Sequence, residues 1–292
     1  MSIETRKWDL SSMYPLGAWW PFLVGLLTFG CLMDVATARY CRGSFNVTRP
    51  EDVETLFQDC TYVGGDITIT HTYSGPFILP KVTSIGGTLE LRYLTSLPGT
   101  DNSTIPRVTS IELPDLKQIK NVEIGNITTL KTISMPQLET IRWRCAVYQH
   151  GITTDSLDLP SLRTVPIFHL AGAFSSVNVD SLRNVSEYLD LYGPGVGGRD
   201  GDTGKPLDLK FPSLVYAYRL LVEGRISSIS MPKLKFLGRK HTDGGYSDDV
   251  MVRVKDTPAS LSFPSLRNLT GSFSVDGPIN RYLFLPGSPK FT

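Results

Sequence analysis

The sequence lacks an excess of charge of either sign. Its 292 residues include 29 Lys and Arg against 28 Asp and Glu, for a formal net charge of +1. No block of Lys or Arg breaks this balance, so we expect no nucleic-acid surface. Histidine is also scarce, and the four histidines lack the spacing of metal ligands. We expect ordinary surface or corner side chains at His71, His150, His169 and His241, and neither a metal ion nor a cofactor.

A long amphipathic helical pattern is missing as well. The one short candidate is RPEDVETLFQDC, residues 49–60, whose acidic first turn favours a helix. The chain has instead 26 glycines and 20 prolines, which suit a chain that turns often. Between the turns, segments such as GGDITITHTY and SEYLDLYG alternate as strands do. These patterns predict an all-β fold.

The first 38 residues have the pattern of a targeting segment. Two basic residues precede an apolar run from Leu16 to Met33, and Ala36-Thr37-Ala38 has the small-x-small form that signal peptidase accepts. We therefore predict a signal peptide over residues 1–38, with the mature chain starting near Arg39. The alternative is an uncleaved signal anchor, because eighteen apolar residues can almost span a bilayer.

Cysteine usage agrees with secretion. After Cys31 in the signal segment, Cys41 and Cys60 flank a short loop, and we predict that they form one disulfide. This disulfide would hold an N-terminal cap over residues 39–62, ahead of a repeat domain over 63–286 and a tail over 287–292. We expect the remaining cysteine, Cys145, to be a buried free thiol and not a reactive one.

Acceptor sequences for N-glycosylation are frequent. Five of the eight asparagines stand in the Asn-x-Ser/Thr pattern, namely Asn46, Asn102, Asn126, Asn184 and Asn268. Chance would supply one or two in a chain with this much Ser and Thr. The five sequons therefore predict a glycosylated surface protein.

One short phrase of seven residues recurs along the chain. It begins with an apolar residue, which is followed in most copies by a proline, and further apolar residues stand at its fourth and seventh positions. Copies are LPDLKQI at Leu113, MPQLETI at Met135, LPSLRTV at Leu159, VDSLRNV at Val179, FPSLVYA at Phe211, MPKLKFL at Met231 and FPSLRNL at Phe263. They lie 20 to 24 residues apart, except for two steps of 32 that we attribute to the insertions GPGVGGRDGDTGKP and RKHTDGGYSDD. This period predicts a β-solenoid of stacked coils, each built of two or three short parallel strands. Proline would stand at the first residue of a strand, as we expect for Pro264, or at a corner.

The capping cysteines, the segment DVETLFQDCTYVGGDITIT and the repeated PSL phrases resemble the fungal cell-wall-organisation and sporulation-specific surface proteins. The ectodomain of that family is similar to the receptor L-domain of growth-factor receptors. The resemblance implies a right-handed parallel β-helix with leucine-rich-repeat-like coils, displayed at the cell surface or wall. It also implies a C-terminal lipid anchor in many members, but RYLFLPGSPKFT lacks the required site, spacer and apolar tail. Secretion without an anchor, an N-terminal anchor and a chain continuing past Thr292 all remain open.

Parallel β-helices also host carbohydrate-active enzymes, which need paired carboxylates at reaction distance. Acidic residues recur in the predicted strands at Asp66, Glu90, Glu123, Asp158 and Asp190, but singly and at shifting positions. We expect solvated strand faces there, and no catalytic, cofactor-binding or metal-binding residues. The glycine-rich insertion has no strand-then-helix context for a nucleotide and no complete calcium loop. Trp143 could stack on a sugar, but we expect it to pack in the core.

Together these patterns predict a secreted, N-glycosylated, non-enzymatic solenoid of the cell surface or wall, presenting a polar sheet face to a glycan or a surface protein. The alternatives are a carbohydrate-active β-helix enzyme and a membrane-tethered receptor-like protein. Asn184 and Asn268 share one repeat position. We therefore expect both glycans on one edge of the solenoid, and the binding face elsewhere.

Overall fold

The computed structural model describes residues 39–92, 106–196, 204–238 and 250–283. The predicted signal segment, the sequon at Asn102, the tail, the second insertion and the centre of the first lie outside these residues. Within them, no helix is long and apolar enough to cross a membrane.

The described residues form strands throughout, with a single helix, α1, at Pro50–Phe57. The first strands are β1 Arg39–Cys41, β2 Phe45–Val47, β3 Cys60–Val63, β4 Ile67–Ile69, β5 Ser74–Ile78, β6 Ser84–Arg92, β7 Arg107–Glu112, β8 Gln118–Gly125, β9 Thr132–Ser134, β10 Thr140–Asp158 and β11 Thr164–Asn178. They are followed by β12 Asn184–Tyr192, β13 Leu207–Lys210, β14 Tyr216–Gly224, β15 Ile226–Ser230, β16 Phe236–Leu237, β17 Val250–Val254, β18 Ala259–Ser262, β19 Asn268–Leu269, β20 Phe273–Asp276 and β21 Ile279–Leu283.

Three series of parallel strands run through the stack. The first consists of β1, β3, β16, β19 and the N-terminal ends of β6, β8, β10, β11, β12 and β14. The front ladder consists of β2, β4, β6, β8, β10, β11, β12, β14, β17 and β20, each paired in parallel with the next. The back ladder consists of β5, β7, β9 and the C-terminal ends of β10 and β11. A second parallel sheet of four strands contains β13, β15, β18 and β21. This curled parallel arrangement confirms the predicted all-β solenoid.

The register of the front ladder places the buried side chains of successive strands in one column. Leu89, Val122, Cys145, Phe168 and Leu189 are successive partners on neighbouring strands, and all are at most 2 % exposed. Each coil therefore buries its inward side chains against those of the coils above and below. The burial of Cys145 follows from its place in this column, as predicted.

The recurring phrase forms a turn between strands. In FPSLRNL the amide of Leu266 donates to the carbonyl of Phe263, and the same bond joins Leu116 to Leu113 and Leu138 to Met135. The first and fourth residues of the turn are buried, while proline takes the second place, which its fixed φ favours. The expectation that Pro264 begins a strand is therefore wrong, because it lies in the corner between β18 and β19.

The N-terminal cap has the predicted disulfide and helix. Cys41 and Cys60 are bonded, with Cα atoms 5.7 Å apart, and α1 lies in the loop that they close. Phe57 on the buried side of α1 meets the ring of Phe45 edge-on, with centroids 5.0 Å apart. The helix thus packs on the first coil.

Candidate functional site

The outward positions of the front ladder, between its buried positions, also line up in columns. One column runs Asn121, Arg144, Ile167, Tyr188 and Arg219, and the next runs Glu123, Ala146, His169, Asp190 and Leu221. Residues 21 to 31 positions apart in the chain are thereby neighbours on one flat surface. Aromatic and charged side chains are concentrated on β10, β11, β12 and β14.

Trp143 is turned outward at a bulge. Ile141 pairs with Ile119 and Arg144 with Asn121, so β10 has two residues where β8 has one. A bulge of this kind breaks the alternation and redirects a side chain. Trp143 is 50 % exposed. The expectation that it packs in the core is therefore wrong.

An ion pair lies at the centre of the surface. His169 Nδ1 is 3.0 Å from Asp190 Oδ2, and Arg219 Nε is 3.8 Å from Asp190 Oδ1. Asp190 is only 5 % exposed. Because 3.8 Å is too long for a hydrogen bond, Asp190 Oδ1 and Arg219 Nε are buried without a hydrogen-bond partner. We had expected His169 to be an ordinary surface or corner histidine. It is instead part of a charged cluster.

Tyrosine rings support the two arginines. The Arg219 guanidinium lies over Tyr188, 5.3 Å from the ring centroid. Arg144 lies 5.9 Å from the centroid of Tyr148, and its Nη2 donates to the Tyr148 hydroxyl at 2.5 Å. Such stacking restricts a guanidinium to one plane while its remaining N–H groups can still donate.

These side chains surround a depression of about 350 Å³, which we call the front cleft. It is lined by Trp143, Arg144, Ile167, His169, Tyr188, Asp190 and Arg219. A second hollow of about 340 Å³ shares Tyr188 and is otherwise lined by Ser186, Glu187, Tyr216 and Tyr218. The two depressions thus carry aromatic rings and hydrogen-bonding groups across several coils.

Two titratable groups near the front cleft are held in their neutral forms. Burial raises the pKa of the Cys145 thiol to about 12, and the charge of Arg144 only partly opposes this. Burial, and secondarily the charge of Asp190, raises the pKa of Tyr192 above its ordinary value. Cys145 faces the core behind the cleft and is therefore no nucleophile for a ligand bound there.

The chemistry of the front cleft is suited to recognition. Trp143 and Tyr188 offer ring faces, the arginines offer donors, and Asp190 supplies the one carboxylate among its lining residues. Hydrolysis of a glycosidic bond ordinarily uses two carboxyl groups that flank the bond. These groups are of the types that can stack on and hydrogen-bond to a polar ring.

The other predicted acidic positions do not join the cleft. Asp66 Oδ1 accepts from the backbone of Thr88, and Asp158 Oδ1 accepts from Asn178. Glu90 and Glu123 are register partners in the same column as Asp190, four and three strands away from it. Only Asp190 of the five lies at the candidate site.

The sequons differ in their surroundings. Asn46, Asn184 and Asn268 are exposed, whereas Asn126 is half-buried, with a φ of +59° and its Oδ1 enclosed. The register also places Asn184 and Asn268 in one column, as their repeat position predicts. The order in that column, which we call the sequon column, is Asn184, Tyr216, Phe236 and Asn268.

No sequence pattern indicates Arg144, Tyr148, Tyr188 or Arg219 as site residues, and His169 is expected from the sequence only as an ordinary surface or corner side chain. Each belongs to a segment whose buried residues were recognisable, for example YLDLY and YRLLV. The outward columns emerge only when the segments are aligned strand by strand in their register. The bulges, which differ from coil to coil, hide this alignment in the linear sequence.

No family model matches the chain, and neither a curated protein nor a solved structure does.

Proposed function

We propose that the chain is a secreted, N-glycosylated protein of the cell surface or wall that binds a glycan in the front cleft without changing it. The observation that carries the proposal is the half-exposed Trp143 beside the arginine–tyrosine stacks of the cleft. The disulfide of the first coil suits the oxidising conditions of the secretory pathway. From its repeat and its capping cysteines, we infer that the chain belongs to the fungal cell-wall-organisation and sporulation-specific surface proteins.

Binding would rely on a surface that is already in place. The cleft side chains stand on paired strands, so little conformational entropy is lost when a ligand orders them. A sugar ring would lay its apolar face on Trp143 or Tyr188, and its hydroxyls would meet the arginine donors and Asp190. Asp190 Oδ1 and Arg219 Nε are buried without hydrogen-bond partners, so a ligand hydroxyl that displaces the side chains covering them would give both atoms a partner.

The test of binding is titration of the purified full chain with chitin, β-glucan and mannan oligosaccharides, followed by tryptophan fluorescence and calorimetry. We expect one class to bind and Trp143→Ala to weaken that binding at least tenfold, about 1.4 kcal/mol. Tyr282→Ala is the matched control, because Tyr282 is also 50 % exposed but lies on β21. Failure of all three classes to bind, or equal binding by W143A, would contradict the proposal.

The test of location is fractionation of a tagged full chain into wall, membrane and medium, with and without N-glycan removal. We expect glycosylated protein in the wall or medium, starting at Arg39. An intact N-terminus in the membrane fraction would favour a membrane-tethered receptor-like protein instead. A cytosolic, unglycosylated product would overturn the proposal.

The second candidate is a carbohydrate-active enzyme, which the His169–Asp190 pair favours. A carboxylate that holds a histidine in place is a common arrangement for a general base. Incubating the same oligosaccharides with the protein and measuring new reducing ends or unsaturated sugars separates the two candidates. Product formation that His169→Ala abolishes would establish the enzyme.

A further inference from the structure

The sequon column combines glycosylation sequons with aromatic side chains, and neither its asparagines nor its aromatic residues line the front cleft. Asn184 and Asn268, both exposed, stand at its two ends, and Tyr216 and Phe236 lie between them. Phe236 is 43 % exposed. A phenylalanine on the outward face of a strand leaves apolar surface in water, and covering that surface with the apolar face of a sugar is favourable.

The register fixes the distances in this column. Neighbouring strands lie about 4.8 Å apart, so Asn184 is one spacing from Tyr216 and Asn268 is one spacing from Phe236. The two asparagines are three spacings apart, about 14 Å. Side chains in one column of in-register parallel strands emerge on the same side. A sugar attached to either asparagine therefore starts directly beside an aromatic ring.

We propose that the N-linked glycans at Asn184 and Asn268 fold back onto Tyr216 and Phe236, so that the chain's own glycans cover this aromatic pair. The glycosylation machinery of the host transfers the glycan from a lipid-linked diphosphate donor: the bond from N-acetylglucosamine C1 to the diphosphate breaks, the bond from C1 to Asn Nδ2 forms, and the amide loses one proton as the lipid diphosphate leaves. This chain supplies the acceptor and the surface. The apolar face of the pyranose ring packs on the aromatic ring, and the N-acetyl methyl adds further apolar contact. This inference rests on the proposed function, because it requires passage through the secretory pathway.

The proposal also assigns the two depressions different roles. Tyr216 belongs to the second hollow, next to Asn184 in the register. A glycan folded onto Tyr216 occupies that hollow and leaves the front cleft, which shares only Tyr188 with it, open to an external ligand. The sequon column is thus a covered surface beside the binding site.

Asn46 provides a matched internal control. It is an exposed sequon asparagine on the front ladder, but its register partner is Thr68. The first sugar on Asn46 therefore has a small polar neighbour where Asn184 and Asn268 have aromatic rings. Any effect of glycosylation in general would appear at all three positions.

The experiment uses the full chain, secreted from a eukaryotic host and trimmed enzymatically to one N-acetylglucosamine per site. Mass spectrometry gives occupancy, and thermal midpoints are compared for N268Q, F236S and the double variant. We expect N268Q to lower the midpoint by about 1 to 3 °C in the wild-type background and not in F236S. N184Q should behave in the same way against Y216S, whereas N46Q should have the same small effect in every background.

In NMR spectra of the trimmed protein, ring currents should shift the N-acetyl methyl signals that N184Q and N268Q remove.

The outcomes separate the two proposals. A secreted protein without any glycan would overturn both. Occupied sites with equal effects of N268Q in both backgrounds, and unshifted methyl signals, would overturn only the covering of the aromatic pair. Occupancy of Asn46 alone would do the same. Should F236S or Y216S fail to fold, the methyl shifts in the wild type decide the question.

Discussion

His169 Nδ1 lies 3.0 Å from Asp190 Oδ2, and the two residues are direct partners on the parallel strands β11 and β12. Asp190 is only 5 % exposed although it stands on the outward side of the sheet, and Arg219 Nε lies 3.8 Å from its Oδ1. A buried carboxylate needs compensating partners. This pair therefore links the stability of two coils to the geometry of the front cleft.

Replacing Asp190 by Asn should destabilise the protein. The amide cannot balance the positive charge of Arg219, and it weakens the bond to His169. We expect the free energy of unfolding to fall by about 1 to 3 kcal/mol, as for hydrogen bonds to charged groups. Urea denaturation at pH 7 measures this.

Asp180→Asn is the control for the charge change, because Asp180 is exposed in the turn before β12. We expect it to alter stability by less than about 0.5 kcal/mol. Equal effects of D190N and D180N would mean that the contacts of Asp190 contribute nothing measurable.

Cys145 should be unreactive in the folded protein. It is 1 % exposed and its pKa is raised to about 12 by burial, so almost no thiolate forms at pH 8. In protein that starts at Arg39 and so lacks Cys31, a thiol reagent such as a disulfide dye should label less than one tenth of Cys145 in an hour without denaturant, and all of it in guanidinium. Rapid labelling of the native protein would show that the stack opens at β10.

The repeat and its buried positions were predictable because they are local in sequence. In the recurring phrase FPSLRNL, Phe263 and Leu266 are buried and Leu269 is half-buried, and the Cys41–Cys60 bond follows from two cysteines flanking one short loop. The solenoid itself follows from the 20 to 24-residue period. Each of these features depends on residues within one coil.

The candidate site depends on the register between coils, which the sequence does not reveal. His169 and Asp190 are 21 residues apart, and nothing in either segment identifies the other as its partner. The bulge at Trp143 adds a residue to one coil and reverses the direction of the side chains around it. Outward positions also tolerate polar and aromatic residues alike, so their composition carries little signal.

Asp52 should make the cap sensitive to acid. Its carboxylate accepts from Thr48 Oγ1 at 2.6 Å, from Thr48 N at 2.8 Å and from Arg49 N at 3.2 Å. These bonds, led by those from Thr48, lower its pKa from 3.8 to about 2. A pKa lowered by folding stabilises the folded state above the unfolded-state value, and this contribution is lost as the pH falls from about 4 to about 2. The thermal midpoint of wild type should therefore fall more steeply over this range than that of D52N.

Glu54→Gln in the same helix is the control, because Glu54 is exposed and its change removes one carboxylate as well. Its midpoint should follow that of wild type as the pH falls. A parallel pH dependence for wild type and D52N would contradict the assignment of the cap as an acid-sensitive element.

Gly172→Ala should test how tightly adjacent coils fit. Gly172 on β11 has a φ of +127°, and a Cβ there would lie 2.4 Å from the carbonyl oxygen of its partner Gln149. Gln149 is fully buried, and its side-chain carbonyl accepts from the amide of Ile127 at 2.9 Å. Moving Gln149 therefore disturbs the next coil as well. Backbone strain and a damaged buried hydrogen bond together should cost at least about 2 kcal/mol of unfolding free energy.

Gly43→Ala separates the two contributions. Gly43 also has a positive φ, +96°, but a Cβ there meets no atom within 4 Å. In that variant only the conformational strain lowers the free energy of unfolding, by about 1 to 2 kcal/mol. The excess cost of G172A over G43A in chemical denaturation then measures the contact between β10 and β11 behind the front cleft. If the two variants lose equal stability, the coils can shift past each other at little cost, and the cleft cannot be the rigid surface on which the proposed binding depends.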